Sequence, residues 1–288
     1  MTDDTLKWRI GDVTVTKVTE LVDIQSATWV VPLLKPECFD LPELQWCKPH
    51  FANDGGEIIV SVHALVVESQ GQRIVVDTCI GNDKNISLPA WAQRQGTFLA
   101  DLDAAGFAAD TIDTVLCTHL HVDHVGWNTR LVDGKWVPTF MNARYLWHRT
   151  EFEFWSTTDV NMGGDIVGES VMPVYDAGLV DLVDAEHTVT DEVRLEPTPG
   201  HTPGHVSVHI SSRGEEAVIT GDLMHHPAQC THPEWGSRFD ADPAQAEQTR
   251  RDFLARYGDT PVLVIGTHFA TPTAGKLVRD GDAYRLAI

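Results

Sequence analysis

The run Thr118-His119-Leu120-His121-Val122-Asp123-His124 places three imidazoles and a carboxylate within six residues. That mixture of nitrogen and oxygen donors suits a first-row divalent cation such as zinc, which needs several ligands about 2 Å away on a rigid element. Ile112 to Thr118, rich in β-branched residues, reads as a strand leading into the cluster, so the donors sit in the turn at a strand end. A solvated histidine run with no ligand role would need neither the interleaved Asp123 nor a strand in front of it. Three later positions repeat the order of strand, small residue, ligand-type side chain. His201 stands in the loop Thr198-Pro199-Gly200-His201-Thr202-Pro203-Gly204-His205, which Pro and Gly fix. Asp222 follows Ala217 to Thr220 through Gly221, and His268 follows Val262 to Ile265 through Gly266 and Thr267.

The elements that must carry these residues can be read along the chain. Trp8 to Leu21 alternates as a strand hairpin with Gly11-Asp12 at its turn. Residues 23–56 read as an irregular loop, broken by Pro32, Pro36, Pro42 and Pro49 and carrying Trp29, Trp46 and Phe51; it covers a pocket, core or a dimer contact. Strands are expected over Ile58 to Glu68 and Arg73 to Asp77, and a helix over Thr97 to Ala105 with Gly106 as its C-cap. In the second half, strands are expected at Val193 to Glu196, His205 to Ile210, Ala217 to Thr220 and Val262 to Ile265. A helix starts at Asp242-Pro243 and runs to about Tyr257. Two α/β layers packed through their sheets follow from this order, with no residue-level repeat between them. Of the many aromatics, Trp127, three residues past His124, and Phe269, beside His268, are the expected pocket walls. Trp147, Phe152 and Trp155 are expected to pack a helix on the sheet.

Composition narrows the partners. The chain has 288 residues, with 42 Asp and Glu against 21 Lys and Arg, a formal charge of −21 that repels phosphate backbones and anionic lipid headgroups. Nucleic acid and membrane surfaces are therefore not expected partners. At 42% apolar and 22% charged it is an ordinary globular composition. The start carries Asp3 and Asp4 before Lys7 and lacks the pattern of a secretory signal, and the longest apolar stretches are far short of a bilayer span. Five cysteines without a CxxC pair fit reduced thiols and a cytoplasmic location; a disulfide or metal pair of Cys38 and Cys47 is the alternative.

With the HxHxDH cluster and its three spaced followers, the chain from about Val13 to Gly275 resembles the metallo-β-lactamase superfamily. The resemblance implies an αββα sandwich of two mixed sheets flanked by helices, here as one domain. It implies that His119, His121 and His201 hold one divalent ion, that Asp123, His124 and His268 hold a second, and that Asp222 bridges them. Asp77, in Val75-Val76-Asp77-Thr78, matches the family's early strand-end Asp, which supports the site by hydrogen bonding. Two divalent ions, with zinc the first candidate, bring four positive charges against Asp123, Asp222 and a bridging hydroxide. A nearly neutral site with a hydroxide nucleophile results, and it points to hydrolysis.

The branches of that superfamily differ at a few positions. Asp222 argues against β-lactam cleavage, His121 against the flavodiiron pattern, and the negative charge against RNA processing. Quorum-quenching lactonases of the fold place a Tyr three residues after the bridging Asp; here that position is His225, expected to donate a hydrogen bond to a carbonyl or leaving group. The pattern Asp222-Leu223-Met224-His225 and the ending Gly266 to Gly275 look closer to the methyl parathion hydrolase and dihydrocoumarin lactonase branch. The expected reaction is cleavage of a small carboxylic ester or lactone, with phosphotriesters as a side activity and Asp123 and His225 as catalytic groups. A homodimer is compatible. The rival reading is a mononuclear iron persulfide dioxygenase, whose ligands overlap; a metal-stabilised binding module fits poorly with seven ligand-type residues on an open rim.

Overall fold

The structure is a computed structural model that describes residues 6–157 and 164–288; Asp3 and Asp4 lie outside them. The strands are β1 (Lys7–Ile10), β2 (Val13–Gln25), β3 (Ile58–Ser69), β4 (Gln72–Val76), β5 (Thr114–Leu116), β6 (Thr129–Val132), β7 (Lys135–Pro138), β8 (Arg144–His148), β9 (Val180–Val183), β10 (Thr188–Thr190), β11 (Val193–Pro197), β12 (Val206–Ser212), β13 (Glu215–Ile219), β14 (Leu263–Ile265), β15 (Ala274–Asp280) and β16 (Ala283–Ala287). The α-helices are α1 (Ala27–Val30), α2 (Phe98–Ala104), α3 (Val122–Val125), α4 (Arg149–Thr157), α5 (Met172–Asp176), α6 (Ala228–Thr231) and α7 (Pro243–Tyr257). One sheet has the order β1-β2-β3-β4-β5-β8-β9 and the other β10-β11-β12-β13-β14-β15-β16, while β6 and β7 form a separate hairpin.

Both sheets are mixed, with parallel pairs β4·β5, β5·β8, β8·β9 and β13·β14. Alternation along the strands explains the layering, because successive side chains point to opposite faces. Leu65 and Val67 of β3, Ile74 and Val76 of β4 and Leu116 of β5 meet Leu195, Val208, Ile219 and Ile265 of the second sheet in one buried cluster. Their neighbours Ala64, Val66, Val75 and Val115 face outward into a second core with Phe98 and Leu102 of α2 and Phe152 and Trp155 of α4. A third core lies on the outer face of the second sheet, where Val218 and Val264 pack against Phe253 and Leu254 of α7. The result is the expected αββα sandwich.

The helix begun by Asp242 is present, with the Asp242 carboxylate accepting the Gln245 amide at 3.0 Å as an N-cap and Pro243 in the first turn. The expected loop over 23–56 is more ordered than its prolines imply. β2 continues to Gln25, α1 and two short 3-10 turns follow, and Val31, Leu34, Phe39, Leu44, Cys47 and Phe51 are fully buried against the α7 side. Apolar residues spaced irregularly along a chain carry no period, so this packing had no sequence signal. The hairpin β6–β7 and strand β8 were likewise not expected. All five cysteines are free thiols, so Cys38 and Cys47 form no disulfide. Among the described residues no helix is long and apolar enough to cross a membrane.

Residues 82–96 form a long irregular stretch pinned by a buried amine. Lys84 Nζ donates to Thr129 Oγ1 at 2.6 Å and to the Glu169 carbonyl at 3.2 Å, and lies 3.7 Å above the Trp136 ring. The Glu169 carboxylate in turn accepts the backbone and side-chain N–H groups of Asn85. Burial pushes the Lys84 amine down to about 7, against the opposing pull of Glu169 and Asp83. The folded state therefore binds fewer protons than the unfolded chain between about pH 7 and the ordinary lysine range, so the cost of this group is full below pH 7 and fades as pH rises. Lys84→Met should gain stability relative to wild type most at pH 6 and progressively less toward pH 10, as read by urea denaturation of both proteins across that range; a pH-independent difference contradicts the burial argument.

Candidate metal centre

Four separate strand ends deliver the ligand-type side chains to one rim. The turn after β5 carries His119, His121, Asp123 and His124, the last two on α3; the β11–β12 turn carries His201. Asp222 follows β13 and His268 follows β14, and because these two strands run parallel their C-terminal ends meet at the same edge. The structure brings all seven together in two groups, His119, His121, His201 and Asp222, and Asp123, His124 and His268.

His121 Nδ1 lies 3.0 Å from His119 Nε2 and 2.8 Å from His201 Nε2. Nitrogens sharing a tetrahedral ion at about 2 Å stand about 3.3 Å apart, so this spacing is that of a common ligand shell. Asp222 faces both groups: its Oδ2 is 3.7 Å from His119 Nε2, 3.5 Å from His201 Nε2 and 3.3 Å from His124 Nε2, and its Oδ1 is 3.1 Å from His268 Nε2. Asp123 Oδ2 lies 3.5 Å from His268 Nε2 and its Oδ1 3.7 Å from His124 Nε2.

Outer partners set the tautomers. His124 Nδ1 faces the Asp77 carboxylate at 2.9 Å, His201 Nδ1 faces the Asp240 carboxylate at 3.1 Å, and His268 Nδ1 faces the Ser61 carbonyl at 3.3 Å. Each partner only accepts, so each Nδ1 carries a proton and the Nε2 turns inward. The inward nitrogens then face carboxylate oxygens in a buried place. His124 Nε2 and Asp222 Oδ1 are buried with no hydrogen-bond partner. A divalent cation in each group satisfies these orphans, and the donor set fits it.

The charge balance of the bare side chains points the same way. Burial, aided by the neighbouring imidazoles, holds His119 and His121 well below the usual histidine range, so both are neutral ligands-in-waiting. Burial also works to lower His124 and His268, but Asp222 and the other nearby carboxylates overcome it and raise both. Asp222 itself is held well below the carboxylate range, because the surrounding imidazoles outweigh its burial. The carboxylates thus draw positive charge into the centre from whatever source is at hand.

Asp77 stands where the sequence placed it, after β4, in a left-handed backbone conformation at φ 58° that a non-glycine residue adopts at a cost. Its carboxylate accepts the Thr118 amide at 2.8 Å and the Thr118 hydroxyl at 2.8 Å besides the His124 ring, which ties the start of the histidine turn to β4. Two supports escaped the sequence reading. Asp240 also accepts the Ser237 amide at 3.0 Å and pairs with Arg250 of α7 at 3.2 Å. His205 is no ligand: its Nε2 accepts the Asp222 amide at 2.8 Å, and a Cβ on Gly221 would lie 2.5 Å from that nitrogen, so only glycine fits there. The doubled Pro-Gly-His of that loop was the available signal.

Above the centre opens a cavity of about 280 Å³. Trp29, Val30, Val60, Phe239 and, from the 82–96 stretch, Ile86, Leu88 and Trp91 wall it, with Gln25 and Ser87 as polar points; among the described residues, Asp123 and Asp222 are the Asp, Glu, Lys or Arg side chains that line it. His225 lines it, Nε2 at 3.2 Å from Asp222 Oδ2 and 3.5 Å from Ser237 Oγ, with its amide held by Gln229. His226 turns away, donating to the Phe51 carbonyl at 3.0 Å and accepting from the Ala228 amide. The two expected aromatic walls are corrected by the structure. Trp127 donates its indole N–H to Glu20 at 2.7 Å and stacks on Phe98 in the helix-side core. Phe269 is fully buried against Phe51 in the α7-side core. Adjacency in sequence to a ligand put them near the site, but their rings pack into the two outer cores instead.

A family model described as the metallo-beta-lactamase superfamily matches residues 59–268. The chain belongs to this superfamily. Among solved structures, AidC, a dizinc quorum-quenching lactonase in complex with a product, is 21% identical with a TM-score of 0.79, over 98% of this chain and 96% of that one. The hydrolase AbOPH of the beta lactamase superfamily is 23% identical with a TM-score of 0.78, over 99% and 97%. An N-acyl homoserine lactone hydrolase, with a product bound at its catalytic metal center, is 17% identical with a TM-score of 0.61, over 91% and 94%. At these identities the likeness establishes the fold. No curated protein matches the sequence.

The two kinds of aromatic residue should separate under mutation. Phe269→Ala should cost about 3–5 kcal/mol of stability as a buried ring, with substrate KM unchanged in whatever folds. Trp29→Ala, half exposed at the cavity, should leave the melting midpoint within a few degrees while raising KM; the reverse pattern restores Phe269 as a wall.

Proposed function

We propose that this protein is a dinuclear metal-dependent hydrolase that cleaves a small, uncharged carboxylic ester or lactone. The observation that carries the reading is the convergence of seven buried or nearly buried ligand-type side chains, with ring nitrogens and carboxylate oxygens turned inward, on the floor of an apolar cavity. A single iron would leave the group of Asp123, His124 and His268 without a task, which disfavours the mononuclear oxygenase. The lactonases of the same fold support the hydrolytic reading.

When bound, two divalent cations, zinc the first candidate, would supply a water of lowered pKa and an electrophile for the developing oxyanion. His119, His121 and His201 would hold one, and Asp123, His124 and His268 the other, with Asp222 between them. The protein does the rest. Asp123, the least buried of the carboxylates, reaches the cavity and accepts a hydrogen bond from the attacking water, which orients it. His225 places a ring nitrogen beside Asp222 at the cavity wall and donates a hydrogen bond to the acyl or leaving oxygen. Trp29, Trp91 and Phe239 exclude water from the ester and offer flat faces to an apolar acyl or aryl group. With no Lys or Arg on the wall among the described residues, an anionic substrate finds no cationic side chain there. Phosphotriesters, equally uncharged, are the natural side activity, and the protein acts in the cytoplasm as a monomer or homodimer without nucleic acid or membrane.

Metal-reconstituted protein assayed against lactones, aryl esters, thioesters and phosphotriesters tests the reading. Turnover of a lactone or ester should need no oxygen, vanish on chelation and return with two ions per chain; full activity in chelator-stripped protein refutes it. His225→Phe should lower kcat about 100-fold with full metal content and little change in KM. Unaltered kcat removes His225 from the chemistry.

A further inference from the structure

Helix α4 places a buried carboxylate between the two loops that carry the first group of imidazoles. Glu151, 1% exposed, accepts the Leu120 amide at 3.0 Å and the Trp155 indole N–H at 2.7 Å on Oε1, and the Gly204 amide at 3.0 Å on Oε2. Leu120 lies between His119 and His121; Gly204 lies three residues after His201. Glu151 makes no ion pair among the described residues, so its charge is met by three N–H donors alone. The approach is close: a Cβ on Gly204 would sit 2.3 Å from the Glu151 nitrogen, so the loop lies directly on the first turn of the helix. On the same helix Trp155 meets the His121 ring edge-on at 5.3 Å, and His148, just before α4, bonds the Gly204 carbonyl at 2.8 Å.

We infer that Glu151 is a positioning residue that sets the separation of the His119/His121 turn and the His201 loop, and thereby the affinity of the first metal position. The inference rests on the proposed metal centre and goes beyond it. Val206 N to Thr118 O, at 3.0 Å, is the main-chain tie between the same segments; it joins their strand ends and leaves the turns beyond it to be held by side chains. His121 Nδ1 and His201 Nε2, 2.8 Å apart, come from those turns. A carboxylate suits the task where an amide does not, because both oxygens must accept: the NH2 of a glutamine would confront at least one of the three buried N–H groups. The second group is held elsewhere, His124 by Asp77 and His268 by Ser61, so the effect of losing Glu151 is confined to one ion.

The test is metal affinity, read with Zn²⁺ and Co²⁺ against a competing chelator on the whole protein. Wild type should take up two ions. Glu151→Gln should stay folded by circular dichroism and bind one of the two about 10–100-fold more weakly, with the other unchanged and the Co²⁺ absorption altered for one site only. Trp155→Phe, which keeps the carboxylate and strips one donor, should weaken the same ion by less and serves if Glu151→Gln fails to fold. Wild-type affinity for both ions in these variants, or equal weakening of both, overturns the positioning role while leaving the metal centre standing. A wild-type protein that takes up no ion overturns both.

Discussion

The structure turns on a buried carboxylate that has more imidazole around it than protons to share. Asp222 is nearly inaccessible and faces the inward nitrogens of His119, His124, His201 and His268, three of which are turned toward it by their outer partners. Carboxylates packed among imidazoles in a low-dielectric place need positive charge, and the rings can supply it only against the cost of their own burial. The cluster is therefore built for cations, and the surrounding fold is arranged to keep it from relaxing.

What prevents relaxation is the number of independent elements involved. β4 contributes Asp77, β5 the histidine turn, β13 and β14 Asp222 and His268, and α7 the Arg250 that backs Asp240 behind His201. His124, His201 and His268 each have an outer hydrogen bond from a different part of the chain, so rotating one of these rings breaks a bond to a separately packed element. Close-packed apolar layers between and outside the sheets make the strand ends a rigid rim. Such preorganisation is what a site needs if ligand geometry is to be held within a fraction of an ångström.

The cavity follows a different logic. Apart from Gln25 of β2 and Val60 of β3, its walls come from α1, the 82–96 stretch and the segment around Phe239, none of which belongs to the sheets. These segments are secured by local devices, the Lys84 and Glu169 network on one side and the buried apolar run from Val31 to Phe51 on the other. Chemistry sits on the scaffold and selectivity on the loops, so walls can diverge among proteins of this fold while the centre persists.

The inner residues and most strands were legible from sequence, because they depend on local signals: donor types at short spacing, β-branched runs, turn residues, and an Asp-Pro helix start. Asp77 was legible only through family resemblance. Asp240, His205 and Glu151 were not, since a carboxylate or imidazole acting through another residue's backbone or ring has no spacing signature of its own. Trp127 and Phe269 show the converse, two aromatics beside ligands whose rings point into separate cores. Sequence by itself determined which atoms could bind a cation and which strand ends would carry them, because residue type and periodicity are properties of the chain. Which nitrogen of each ring turns inward, which rings line the cavity and what clamps the loops were decided only in three dimensions, because each depends on a partner tens to hundreds of residues away.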